Sequence, residues 1–397
     1  MRGAAKSGVP ITACNCRFLY TIAMTRRDLL AALSAGPLVH AATEKLPPAP
    51  PVALARCQSY DEGLDTTLAT MFDQLGGLGR IVKNKTVTVK LNLTGSPALK
   101  FQGRPLGVTH YSHPKMVGAV AQLLVKAGAK RVRFVESCWA SGGPLEEYML
   151  DSGWNVRQLK SISPNVIFEN TNALGSGKKY HRFKVPGGGV IFPAYDLNRA
   201  YEDTDVMMSM AKLKDHATCG ITLAMKNMFG ITPASIYGDD AGKDEANESP
   251  TKGRVETCHV GKRQPASCSP PESNKDSSRE PGYRMPRIVA DLNAARPIDI
   301  ALIDGIETVA GGEGPWIRGI RRVTPGLLLA GFNAVTADTV GTAVMGYDPR
   351  AAKGSAPFQK CDNTLLLAEA LGLGSADLKR IEVLGVSIAA AKYSFIA

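Results

Sequence analysis

No two of the eight cysteines are spaced as C-x-x-C, which removes the ligand pattern of iron–sulfur clusters and of four-cysteine zinc sites. Aromatic residues are scarce, at 6% of the chain, and no Lys/Arg tract interleaves with them. Without a helix-turn-helix, zinc-finger or RNA-stacking signature, nucleic acid is not an expected partner, despite a net charge of +11. There is no G-x-S-x-G elbow and no H-E-x-x-H helix. Gly175-Ser-Gly177-Lys178-Lys179 lacks the first glycine and the final hydroxyl residue of a phosphate loop. Gly187-Gly188-Gly189 lacks the strand–turn–helix setting of a dinucleotide fingerprint. No apolar run reaches the ~18 to 20 residues of a membrane helix, so no transmembrane helix is expected in the mature chain.

What is present begins with an address. Thr25-Arg26-Arg27-Asp28-Leu29-Leu30 leads into a short Ala- and Gly-rich apolar run that ends at Val39-His40-Ala41. A paired arginine before such a run reads as a twin-arginine (Tat) signal, with the Tat export machinery as partner and a periplasmic or extracellular destination. Residues 1–41 are accordingly an upstream extension and signal peptide, with Met24 as the working start, and Cys14 and Cys16 fall away. Residues 42–55 are Pro-rich and read as an extended leader.

The apolar content of 44% is enough for a packed core, which residues 56–397 are expected to form as one domain. Thr86 to Asn92 patterns as a strand, Pro114 to Gly128 as a helix with proline at its start and glycine at its end, and Arg131 to Glu136 as the next strand. That β-α-β unit predicts an α/β fold: an open, mostly parallel sheet flanked by helices. Further strands are expected at 166–169, 206–210, 298–303, 327–330 and 380–385, and helices at 145–151, 287–294, 334–345 and 364–371. Residues 239–286 are rich in Lys, Glu, Ser, Pro, Asn and Gly with almost no aliphatic side chains, and are expected to be a disordered insertion, with a lid over a site as the alternative. Cys258 and Cys268 within it could pair after export.

Candidate chemistry concentrates between Met210 and Gly230. A strand continued through Lys212, Lys214 and His216 would put all three on one face at its carboxyl end, where open α/β sheets bind ligands. Lys90 and Asn92 end an earlier strand in the same way. Converging ammonium groups require an anion or carboxylates, and Glu136, Asp291, Asp304, Glu313 and Asp338 are available. The expected roles are anion binding by Lys90, Asn92, Lys212, Lys226 and Asn227, and catalysis by His216, Lys214 and Asp304. Asp304, Asp338 and Glu136 could hold Mg²⁺ or Ca²⁺ or could pair with the lysines. Gly311 to Pro315 could form an anion nest, and His113 reads as a helix cap rather than as half of a metal pair with His110.

The ordered set Lys90-x-Asn92, His113-Pro114, Glu136-Ser137, Lys212-x-Lys214-x-His216, Thr222-Leu-Ala-Met-Lys226-Asn227-x-x-Gly230, Asp304-Gly305, Gly314-Pro315 and Ala337-Asp338 resembles the bacterial and archaeal family called domain of unknown function 362. The resemblance spans about Lys90 to Gly346 and implies that these positions form a site, while bringing no established activity. Some relatives carry ferredoxin-like cysteine clusters, which this chain lacks. Three functions follow in order of expectation: an exported enzyme acting on an anionic small molecule or envelope component, a non-catalytic binding protein for an anionic solute, and a cofactor- or metal-carrying redox protein.

Overall fold

Alternation of buried side chains explains the central layer. In the computed structural model, which describes residues 47–172 and 180–396, eight strands form one sheet: β1 (Ala49–Arg56), β2 (Thr86–Lys90), β3 (Arg131–Glu136), β4 (Val166–Asn170), β5 (Val206–Lys212), β6 (Ile300–Gly305), β7 (Leu327–Gly331) and β8 (Ile381–Gly385). Their order is β8-β1-β7-β6-β5-β2-β3-β4. Only β7 runs against its neighbours. The twin-arginine segment and the phosphate-loop lookalike at residues 175–179 lie outside the described residues.

The inner strands β2, β3, β5, β6 and β7 are buried on both sides because helices cover both faces, while edge strand β8 is largely open. Met207, Ala301, Ile303 and Leu329 point into one core layer. Met208, Leu302 and Leu328, one residue out of step, point into the other. The second layer is completed by α1 (Leu64–Gln74), α2 (Pro114–Lys126) and α3 (Leu145–Asp151). The first is completed by α4 (Leu223–Asn227), α5 (Pro281–Ala295), α6 (Ala334–Val344) and α7 (Thr364–Ala370).

Strand order places the site. From β2 the chain moves outward through β3 to β4, then returns to lay β5 on the other side of β2, with β6 beyond it. The connections therefore diverge between β2 and β5, and a crevice opens at the carboxyl ends of those two strands. Lys90 ends β2, Glu136 ends β3 and Lys212 ends β5.

Two expectations about the chain's organisation are corrected. The Pro-rich stretch is not all leader, because residues 49–56 form β1 between β7 and β8 with Val52, Ala53 and Leu54 fully buried. Its prolines stand at the start of the strand, where the pairing with β8 shifts register and a missing N–H is tolerated. Nor is 239–286 disordered. It is tied to the rest of the domain by Arg254, which donates to the carbonyls of Ser137 and Thr232, and by the amides of Ala266 and Ser273, which donate to the carbonyls of Ile236 and Ile191. Within it, Arg284 and Glu272 form a buried ion pair of 2.7 Å, and Arg284 donates to the carbonyls of Thr257 and Cys258. The Asp239 carboxylate accepts from the amides of Val255 and Glu256. Composition misled because buried charge-assisted hydrogen bonds can order a segment over a neighbouring core when the segment has no core of its own. Cys258 is buried and Cys268 exposed, and both are free thiols rather than a bridge.

Candidate functional site

A cavity of about 370 Å³ opens in the crevice. Its charged wall carries Lys90, Lys214, Lys226 and Arg254 against Glu136 and Glu313, with His216 and His259 between them. Four cations against two carboxylates leave the wall electropositive.

Lys90 is held in place. Its Nζ lies 2.5 Å from Glu136 Oε1 and donates to the Leu91 carbonyl, while Glu136 Oε2 accepts from the Leu93 amide. Gly230 closes over this pair, and a Cβ there would fall 2.6 Å from Lys90 Nζ. Asn227 Nδ2 donates to Ser209 Oγ, so its Oδ1 faces Asn92 Nδ2 at 3.0 Å. That network fixes the orientation of Asn92 and leaves its buried Oδ1 without a hydrogen-bond partner among the described residues.

Lys214 Nζ is satisfied by the carbonyls of His110, at 2.8 Å, and Glu313, at 3.2 Å. Burial drives its pKa well below the ordinary lysine value. Lys226 differs. Its ammonium has no hydrogen bond or ion pair among the described residues and lies 4.6 Å over the Phe229 ring. Burial lowers its pKa as well. Arg254 comes from the 239–286 segment and donates to the carbonyls of Thr232 and Ser137.

The two imidazoles have opposite tautomers. The Thr218 amide donates to His216 Nδ1 at 3.1 Å, so the proton of the neutral ring is on Nε2. His216 Nδ1 is also 3.7 Å from Glu313 Oε2, but burial and then Lys226 hold the imidazole well below its usual pKa, so the contact is not an ion pair. His259 Nδ1 lies 3.3 Å from the Arg254 carbonyl, which can only accept, so this ring keeps its lone pair on Nε2. Burial and then Lys226 bring its pKa down to about 4. In their neutral forms, His216 offers a donor and His259 an acceptor. Glu313 accepts from the Ala217 amide and Trp316 Nε1. Burial opposes its ionisation, while the hydrogen bonds from the Ala217 amide and Trp316 Nε1 favour it.

Of the residues expected from sequence, Lys90, Asn92, Glu136, Lys214, His216, Lys226 and Asn227 line this cavity. Lys212 and Asp304 do not. Lys212 Nζ lies 3.0 Å from Asp304 Oδ2 and 2.8 Å from the Tyr60 hydroxyl, in a closed, buried cluster of its own. The strand stops at Lys212, so the two-residue alternation that would have kept it beside Lys214 is broken. Asp338 is equally remote in role: its carboxylate accepts from the amides of Ala224 and Met225, at 2.8 Å each, at the start of α4. Burial pushes its pKa up to about 8 even so. Asp304, Asp338 and Glu136 therefore do not make the expected Mg²⁺ or Ca²⁺ site, since each is engaged separately and no group of three His, Cys, Asp or Glu side chains suited to a metal converges among the described residues. The Gly311 amide, offered as part of an anion nest, donates to Asp215. His113 caps α2 through the Lys115 amide.

Sequence reasoning missed Arg254, His259, Trp139 and Trp316. The first two lie in the segment read as disordered. The tryptophans had no motif to mark them, though each follows the end of a strand at the ligand-binding edge.

Together these features define an open α/β protein with a cationic cavity at its topological switch point. The chain belongs to the family described as domain of unknown function (DUF362), whose pattern matches residues 87–343. It is 28% identical over 302 residues to the thylakoid-associated protein sll1697 of Synechocystis sp., a match covering 75% of each chain. A crystal structure of a Thermotoga maritima protein aligns with 70% of this chain and 57% of its own length, at 13% identity and a TM-score of 0.34. No helix among the described residues is long and apolar enough to cross a membrane.

Proposed function

We propose that this protein binds an anionic small molecule in the switch-point cavity, as an exported protein that leaves by the twin-arginine route. The observation that carries the reading is the Lys226 ammonium, which has no ion pair or hydrogen bond among the described residues, on a wall where four basic side chains face two carboxylates. Lys226 is only partly buried, and a partly desolvated cation with an aromatic face but no counter-charge beside it gains from an anionic ligand. Lys226 and Arg254 supply positive charge, and His216 Nε2–H supplies a neutral donor.

The test is titration of the purified protein with inorganic phosphate, sulfate and citrate, followed by calorimetry and thermal melting. Saturable binding of at least one, with a melting temperature that rises with ligand concentration, is the expected result. An unchanged melting temperature and no heat for any of the three would count against an anion site.

A second reading, that the bound anion is also a substrate, is favoured by His259 Nε2. It is a neutral acceptor opposite a neutral donor, and a bound anion would raise its pKa toward the range in which it can take a proton. His259→Gln should then abolish turnover of a substrate while leaving its affinity within a few-fold. A variant that turns over normally would remove His259 as the base.

A further inference from the structure

Six large apolar side chains are conspicuously exposed among the described residues, and four of them, Leu99 (42%), Trp139 (43%), Val255 (54%) and Trp316 (42%), border this one cavity. They come from the loops after β2, β3 and β6 and from the 239–286 segment, so their meeting is a property of the fold rather than of one apolar stretch. Scattered exposed apolar residues need no explanation, but a cluster around a charged opening does. The Trp316 ring is seated against two glycines: a Cβ on Gly95 or on Gly314 would fall within 2.5 Å or 2.3 Å of it. A Cβ on Gly253 would likewise fall 2.8 Å from Trp139 Nε1.

Resting on the anion-site reading, we propose that the ligand is a single amphiphilic anion: a phosphate- or carboxylate-type head enters the cavity, and an apolar chain or ring leaves across the Leu99, Trp139, Val255 and Trp316 rim. The orphan Asn92 Oδ1 adds a requirement for a hydrogen-bond donor near the head, such as a hydroxyl or a protonated acid oxygen. A bare inorganic ion would use only the charge inside and a neutral hydrocarbon only the apolar surface outside, whereas an amphiphilic anion uses both.

The experiment compares inorganic, methyl, butyl, hexyl and octyl phosphate, each below its micelle concentration, with octanol as the uncharged control. Affinity should rise with chain length, by up to about fourfold for each methylene that reaches the rim. Octanol should not bind measurably. In the Leu99→Ser/Val255→Ser double variant, inorganic phosphate should bind as in the parent while the dependence on chain length flattens. Octyl phosphate binding no tighter than methyl phosphate, or a gradient undiminished in the double variant, would overturn the proposal and leave the anion site standing. Failure of all five phosphates would remove this proposal together with the anion-site reading on which it rests. Co-sedimentation with phosphatidylcholine vesicles containing phosphatidic acid distinguishes the sources. A chain-length gradient with vesicle binding assigns the amphiphile to a bilayer, and the same gradient without vesicle binding assigns it to solution.

Discussion

Replacing Lys226 by methionine separates a ligand lysine from a structural one. Methionine keeps most of the stem and its contact with Phe229 while removing the ammonium, which has no hydrogen bond or ion pair among the described residues. Because burial lowers the pKa of Lys226, the fold carries a cost for charging it, and the variant should be as stable as the parent or more so. Affinity for phosphate should fall, since a charge-assisted hydrogen bond contributes about 1.5–3 kcal/mol, or roughly 10- to 150-fold in Kd. Lys90→Met is the contrast. It strands the Glu136 carboxylate, 2.5 Å from the lost ammonium, and should cost about 3–5 kcal/mol. Urea unfolding and phosphate calorimetry on both variants give the answer. A Lys226→Met protein destabilised as much as Lys90→Met, or binding phosphate like the parent, would refute the assignment.

Asp304→Asn should lower stability by about 3–5 kcal/mol, because it leaves the buried Lys212 ammonium short of its counter-charge, yet leave phosphate affinity unchanged. Urea midpoints and calorimetry read the two effects separately. Glu313 has its pKa lowered on folding, with the Ala217 amide and Trp316 Nε1 favouring its charged form, so its stabilisation is complete above pH 4.5 and is lost as pH falls below that value. Glu313→Gln should flatten this limb of a stability–pH curve measured in urea. Gly230→Ala would put a methyl group 2.6 Å from Lys90 Nζ and 2.8 Å from Glu136 Oε1, and should cost about 1–3 kcal/mol by thermal melting.

How far the sequence could be read depended on the kind of signal each residue carried. The β2–α2–β3 unit was legible because its apolar period, N-terminal proline and C-terminal glycine all pointed the same way, and the residues observed in β3 and α3 are those expected. β1 was hidden because two prolines directly precede three buried residues, so composition and burial conflict. The lysines at the strand ends were legible as a group, but which of them reach a shared cavity depends on where β5 stops. The strand ends at Lys212, which turns to Asp304 while Lys214 turns to Glu313. Arg254 and His259 were illegible because their positions depend on tertiary hydrogen bonds to the carbonyls of Thr232 and Ser137 and on the Arg284–Glu272 pair. Polar composition does not encode those contacts.

The charges set into this fold divide into two kinds, and the division bears on function more than their number does. Lys212–Asp304, Arg284–Glu272 and Lys90–Glu136 are pairs in which each charge meets its opposite, and pairs of this kind can hold a fold in register without any ligand. Lys226 has no such pair, and the other groups around it are committed: His216 accepts an amide at Nδ1, Lys214 donates to two carbonyls, and Glu313 accepts from Ala217 and Trp316. None can turn to satisfy the ammonium without giving up a hydrogen bond. The cavity is therefore organised around positive charge before any ligand arrives, and less of the binding energy for an anion has to be spent on rearranging the wall.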